Sequence, residues 1–197
     1  MILEALVTTL NEDGSVNVAP MGPRVDAAMN TFVLRPFRSS TTYRNLMRHR
    51  QGVLHVTDDV LMIARGAIGE DPLAETRAAD VIEGRVISSA CRYYEFRVTE
   101  IDDREDRTSL VATTVASGHL RDYFGLNRAK HAVVEAAILA TRTGLLPMDE
   151  IAFEFRRLAI PVQKTGGPDE ITAFSLLARY VNGKAQAEGR MDLEFPS

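Results

Sequence analysis

Four hydroxyls in succession, Ser39-Ser40-Thr41-Thr42, head the amphipathic stretch Tyr43-Arg44-Asn45-Leu46, and the apolar run Gly52-Val53-Leu54-His55-Val56 follows closely. This order predicts a short helix feeding a strand. The first turn of a helix leaves backbone N–H groups without intrahelical partners and carries partial positive charge, so hydroxyls gathered there complete a site for a phosphate. Arg35, at the end of Thr31-Phe32-Val33-Leu34, adds a cation upstream. An N-cap accounts for one Ser or Thr, and Ser/Thr runs are also ordinary loop composition. Four hydroxyls with an arginine exceed the need of one cap. The candidate anion site is Arg35, Ser40, Thr41, Thr42 and Asn45, in which arginine supplies a planar charged fork and the hydroxyls supply neutral bonds.

Other chemistries find little footing. His49, His55, His119 and His131 show no close Cys/His or His-x-x-x-His spacing, so no metal site is expected. Neither a Gly-x-Ser-x-Gly elbow nor a Gly-x-x-x-x-Gly-Lys loop occurs, which removes the usual support for a hydrolase or a P-loop NTPase. The single cysteine, Cys91, excludes an intrachain disulfide and fits a reducing compartment, so a cytoplasmic location is expected. It stands among strand residues and is read as inert packing.

The elements that must position the hydroxyl cluster are short strands. Ile2 to Leu10 is apolar and β-branched, Asn11-Glu12-Asp13-Gly14 is a turn, and Ser15 to Pro20 returns antiparallel. Asn30 to Phe37 and Gly52 to Thr57 supply two more strands, and Asp58 or Asp59 caps a helix through Val60 to Ala64. Val81 to Ser89 and Arg92 to Ile101 read as a further pair, the second alternating around Tyr94, Phe96 and Val98. Thr108 to Ser117 is strand-like by its β-branched residues but leads toward a helix. Close-spaced strands with few long helices favour a barrel over a doubly wound sheet. After Gly118, Asn127 to Thr143, Met148 to Leu158 and Glu170 to Asn182 carry helical patterns, the last two separated around Ile160-Pro161.

A chain of 197 residues, 45% hydrophobic and 25% charged, supports one substantial core with a subsidiary layer. Its net charge of -4 gives no broad electrostatic reason to approach nucleic acid or anionic lipid. No apolar run approaches the roughly 20 residues that span a bilayer, and the first ten residues lack the basic leader of a signal peptide.

With these elements placed, two blocks resemble the FMN-binding split-barrel proteins, the superfamily of flavin reductases and pyridoxamine-phosphate-oxidase-like proteins. Asp13-Gly14-Ser15-Val16-Asn17-Val18-Ala19-Pro20-Met21-Gly22 is similar to the strand that lies against the flavin ring. Ser39 to Leu46 with Gly52 to Val56 is similar to the phosphate-binding helix and its following strand. Phe124 to Lys130, Glu135 to Arg142 and Lys164-Thr165-Gly166-Gly167 resemble more closely the uncharacterised domain-of-unknown-function 447 branch, in which a helical region follows the barrel.

The resemblance implies a mainly β fold with α: a six-stranded antiparallel split β-barrel of Greek-key type over residues 1–120, then a helical region over 121–197 packed on it. It implies FMN as cofactor, its phosphate on the hydroxyl cluster and its ring lined by Asn17, Ala19, Met21 and Gly22. Gly22, lacking a Cβ, lets backbone approach a flat ring, unless it is a plain turn glycine. Arg128 and Lys164 are candidates to complete the site, against the ordinary readings of solvated cations at a helix start and in a loop. A homodimer with the pocket at or near the subunit interface, a small-molecule substrate and flavin reductase-like oxidoreduction are implied, with a pterin-linked step suggested by relatives that use tetrahydromethanopterin. A flavin carrier or sensor without turnover, or an interaction module, is the alternative. His55 stands where flavin reductases often carry asparagine, and its ordinary reading is a partly buried histidine satisfied by a neighbour.

Overall fold

The computed structural model describes residues 1–187, which form two compact units: residues 1–58 with 74–123, and residues 59–73 with the chain from 124 onward.

The first unit starts from the hairpin. Strands β1 (Ala5–Leu10) and β2 (Val16–Met21) pair antiparallel, and Gly14 supplies the left-handed turn with φ +82°. Strands β3 (Arg24–Val25), β4 (Thr31–Leu34) and β5 (Gln51–Val56) follow, with helix α1 (Thr41–His49) between β4 and β5. Strands β6 (Thr76–Ala78), β7 (Arg85–Ile87), β8 (Arg92–Asp102) and β9 (Ser109–His119) complete the unit. Seven strands form one antiparallel sheet in the order β2-β1-β5-β8-β9-β4-β3, and β6 pairs with β7 apart from it.

The sheet curls around a core of Ala5, Val7, Phe32, Leu34, Leu54, Phe96, Val98 and Leu110, closed on one side by Leu46 of α1. The Phe32 and Phe96 rings meet edge to face at 5.3 Å. Gly52 is required where β5 passes between β1 and β8. A Cβ there would stand 2.8 Å from both Phe96 Cζ and the Thr8 carbonyl oxygen.

Seven strands stand in the sheet where six were expected, and one of them, the two-residue β3, lies beyond the predicted Ser15 to Pro20 strand. Only Gly22-Pro23 separates β2 from β3, and pairing with the chain ahead of β1 continues across the bend: Leu3 N–H donates to the Pro23 carbonyl and Val25 N–H to that of Met1. Beyond the bend β3 pairs with β4, while β2 pairs with β1 alone. The barrel is split along the outer edge of β2.

Two other expectations are corrected. Val81 to Ser89 is not one strand; β7 is only three residues long, because the N–H groups of Asp80, Val81 and Ile82 are taken by the Glu95 carboxylate. The ambiguous Thr108 to Ser117 segment is strand β9, held by β8 on one side and β4 on the other.

The second unit is helical: α2 (Val60–Ile68), α3 (Arg128–Ala140), α4 (Met148–Thr165) and α5 (Pro168–Ala187). Asp59 caps α2 by accepting from Met62 N–H. Ala129, Ala132, Ala136, Ala137 and Ala140 give α3 a buried face of small side chains. Helix α4 runs through Pro161, where a break was expected. The ring removes one N–H, but Phe155, Ala159 and Val162 keep a single buried face on both sides of it. Among the described residues no helix is long and apolar enough to cross a membrane.

Candidate functional site

Helix α1 starts where the hydroxyl cluster places it. Ser40 is the N-cap: its Oγ accepts from Tyr43 N–H at 3.1 Å and donates to the Phe37 carbonyl at 2.7 Å. Thr41 and Thr42 form the first turn, and among the described residues their N–H groups have no intrachain acceptor, as the geometry of a helix start dictates. The turn contains no acidic residue. Instead Arg44 folds back onto it, donating to the Ser39 carbonyl at 2.8 Å and to Thr41 Oγ1 at 3.0 Å. The Arg38 guanidinium lies beside the Tyr43 hydroxyl, which donates to Asp103 at 2.8 Å; that bond raises the phenol's pKa. Helices α2 and α3 likewise have no acidic residue in their first turns, whereas α4 and α5 carry Asp149, Glu150, Asp169 and Glu170 there. The positive end of α1 lacks such compensation and has a cation drawn over it, a local conflict that an anion would relieve.

Apart from Ser40 and Thr41 at the helix start, the expected site residues divide into four groups. Thr42, Asn45 and Asn17 meet in one buried knot around Thr9 of β1. Asn17 Nδ2 donates to Thr9 Oγ1 and Thr42 Oγ1, both at 3.1 Å, and Asn45 Nδ2 donates to Thr9 Oγ1 at 3.0 Å and Asn11 Oδ1 at 2.8 Å. Arg48 donates to Asn45 Oδ1 at 2.9 Å. This knot fixes α1 against the hairpin, so Thr42 and Asn45 position the helix start with their side chains while its N–H groups stay available.

Ala19, Met21 and Gly22 lie along or just past β2, every residue of which is half-exposed. Antiparallel pairs alternate in hydrogen bonding, and the bonds Leu3 N–H to Pro23 and Asn11 N–H to Ser15 set the phase. The backbone groups of Asn17, Ala19 and Met21 therefore turn toward β1, and those of Val16 and Val18 turn to the open edge. Pro20 shares that outward phase, which is why a residue without an N–H is tolerated here. A Cβ on Gly22 would press on Ile2 Cγ2 at 3.1 Å.

Arg35 directly follows the end of β4. It lines a cavity of about 390 Å³ with Asp102, Arg104, Glu105, Arg107 and Ser109, where β4 ends beside the β8–β9 connection. Arg104 holds Asp102 through two hydrogen bonds of 2.9 and 2.6 Å, which draws that carboxyl down to about 2. Arg128 and Lys164 belong to the helical unit and are exposed, at the start of α3 and in the last turn of α4. Asn127 joins those two ends. Its Oδ1 caps α3 by accepting from Ala129 and Lys130 N–H, and its Nδ2 donates to the Thr165 carbonyl at 3.0 Å. Beside it Lys130 pairs with Glu170 at 2.8 Å. Burial works to raise the Glu170 pKa, but the Lys130 and Gly167 hydrogen bonds outweigh it and the carboxyl ends below its usual range.

Arg44 and the open edge at Val18 were missed by sequence reasoning, although the i, i+3 spacing of Thr41 and Arg44 and the phase of the Asn11–Ser15 turn were legible. Among the described residues no group of three His, Cys, Asp or Glu is placed to hold a metal.

His55 is fully buried on β5. Ile87 N–H donates to its Nε2 at 3.0 Å, so Nε2 is unprotonated and Nδ1–H faces the Leu6 carbonyl at 3.3 Å. Burial pushes its pKa from 6.5 down to about 4, against the Leu6 hydrogen bond, which acts to raise it. The unfolded chain takes up this proton at higher pH than the fold does. Stability from His55 is therefore complete above pH 6.5 and is lost as pH falls toward 4, by about 3 kcal/mol in total. Urea midpoints measured from pH 7.5 to 4 should fall more steeply for the wild type than for His55→Asn; parallel profiles would refute this origin.

The fold is a split barrel, a curled antiparallel sheet of seven strands that stays open along one edge. A family model described as the N-terminal domain of DUF447, a protein of unknown function, matches residues 3–121, and a second DUF447 model matches residues 127–179. The chain belongs to the DUF447 family. Among solved structures it is similar to the FMN-bound protein MM1853 from Methanosarcina mazei, a DUF447 protein, at 24% identity, with 91% of this chain and 94% of that chain covered and a TM-score of 0.77. It is also similar to nitrilotriacetate monooxygenase component B from Bacillus cereus (20% identity, 60% and 69% covered, TM-score 0.53) and to flavoredoxin of Desulfovibrio vulgaris (11%, 60% and 69%, 0.54). No curated protein matches the sequence.

Proposed function

We propose that this protein is an FMN-binding flavoprotein that carries out oxidoreduction of a small molecule, working as a homodimer with the pocket at or near the subunit interface. The observation that carries the reading is the FMN-bound DUF447 relative, which shares the fold over nearly the whole length of both chains. The uncompensated start of α1 supports it from within this molecule, since a terminal phosphate is the anion that such a turn accepts.

In this reading the Thr41 and Thr42 N–H groups, the Thr41 hydroxyl and Arg44 hold the phosphate. Asn17, Thr42 and Asn45 hold the helix start in place. The β2 segment through Ala19, Met21 and Gly22 bounds the ring, beside the open barrel edge. Bound flavin supplies the electron-accepting chemistry itself, so the protein's work is to bind, orient and control access. That division of labour accounts for a site rich in hydrogen-bonding groups and poor in acid–base pairs.

The experiment is titration of purified, flavin-free protein with FMN and with riboflavin, followed by flavin fluorescence and thermal stability. FMN should bind at least about 100-fold tighter than riboflavin, because the phosphate supplies charge-assisted hydrogen bonds. Equal affinities, or no binding of either, would overturn the reading. Anaerobic addition of NADH or NADPH then separates enzyme from carrier: rapid bleaching of bound flavin marks a reductase, and unchanged absorbance marks the carrier or sensor.

A further inference from the structure

Among the described residues, none covers one face of helix α4. Asp149, Glu150, Phe153, Arg156, Arg157 and Ile160 are all exposed, Phe153 by 53% and Ile160 by 51%. The spacing of three and four residues puts them on one stripe, opposite the buried Ile151, Phe155, Ala159 and Val162. The stripe is charge-complementary to its own reversal about Phe153: acids stand three and four residues before it, and arginines three and four residues after it.

We propose that this face is an interface between two copies of the chain, the α4 helices packing antiparallel with a two-fold axis at Phe153. A two-fold contact brings a patch onto itself, so each half must complement the other. At 1.5 Å per residue the acidic pair lies about 5 Å to one side of Phe153 and the arginine pair the same distance to the other. Reversal sets Asp149 and Glu150 of each copy against Arg157 and Arg156 of the other. Phe153 meets its twin, and Ile160 comes level with the Leu145-Leu146 segment, in which Leu145 is 78% exposed. Arg157 already covers the Phe153 ring, its guanidinium carbon 5.8 Å from the centroid, and pairs with Glu154 at 3.2 Å; both contacts fix it beside the axis. One helix pair buries less than the roughly 1,200 Å² of a standard interface, so the contact is reversible.

The test uses two charge variants of the full chain, D149R/E150R and R156E/R157E, measured by sedimentation velocity from about 1 μM to about 1 mM, a range that brackets weak association. Each variant opposes like charges across the axis and should weaken self-association at least tenfold; circular dichroism checks that α4 is retained, since Asp149 and Glu150 also lie in its first turn, and R156E/R157E leaves that turn untouched. An equimolar mixture pairs a basic stripe with an acidic one and should regain wild-type association or better. Wild-type behaviour of the separate variants, or a mixture that stays dissociated, would overturn the proposal. Should the barrels also pair, the same variants remove only the α4 contribution and the mixture restores it. Neither arm reads flavin, so failure here is distinct from failure of the cofactor reading.

Discussion

Replacing Glu95 with leucine should lower the melting temperature of this protein by about 12 °C. The side chain has no exposed surface, and its carboxylate accepts the N–H groups of Asp80, Val81 and Ile82 at 2.6, 2.8 and 3.1 Å. An orphaned buried donor costs about 1–3 kcal/mol, so three of them, partly relieved by water, amount to about 4 kcal/mol. At this chain length one kcal/mol moves the midpoint by about 3 °C. The same loop carries Asp80, which accepts from the Tyr93 hydroxyl and from Arg77, and Arg77 lies 5.0 Å above the Tyr93 ring. Loss of the Glu95 anchor should therefore also release Tyr93, read as a weaker near-ultraviolet dichroism. Glu95→Gln retains an acceptor but turns an amide donor toward three donors, and belongs between wild type and Glu95→Leu. A leucine variant melting within 3 °C of wild type would refute the assignment.

The second large effect concerns binding. Thr41→Asp should weaken FMN at least about 100-fold, about 2.7 kcal/mol, while riboflavin binding changes less than threefold. Aspartate in the first turn of α1 supplies the negative charge that the helix end lacks and can take the Arg44 guanidinium, which now reaches Thr41 Oγ1. The flavin-free variant should be as stable as wild type or more so by about 0.3–1 kcal/mol. This opposition of signs is diagnostic, because a variant that merely damaged the fold would lose stability and both ligands together. Calorimetric titration of FMN and riboflavin, with a melt of the free protein, reads all three quantities. Undiminished FMN affinity would move the phosphate away from α1.

These two residues mark where sequence reasoning reaches and where it stops. The hydroxyls at 39–42 identify a helix start because the requirement is local: a cap must lie beside the N–H group it satisfies. The Asp13-Gly14 turn was legible for the same reason, and the alternation of Tyr94, Phe96 and Val98 correctly gave the inward face of β8. Glu95 sits within that alternation and passes for a solvated residue of the outer face. Its burial depends on a loop thirteen to fifteen residues earlier folding back over it, which no local pattern encodes. Arg35 lines a cavity with Arg107 and Ser109 that only the β4–β9 pairing assembles, so its surroundings are not encoded in the local sequence. The ordinary reading of His55 as a partly buried, satisfied histidine matches its bonds to Leu6 and Ile87, and its burial is complete.

The strand order also sets a timetable for folding. The hairpin of β1 and β2 joins neighbours in sequence and can form early, but β4 finds its main partner only in β9, and Thr114 donates to the Met29 carbonyl 85 residues earlier. Bringing such distant stretches together carries the largest loop-closure entropy in the first unit. A nascent chain would hold the Phe32 side of its core open until β9 has been synthesised.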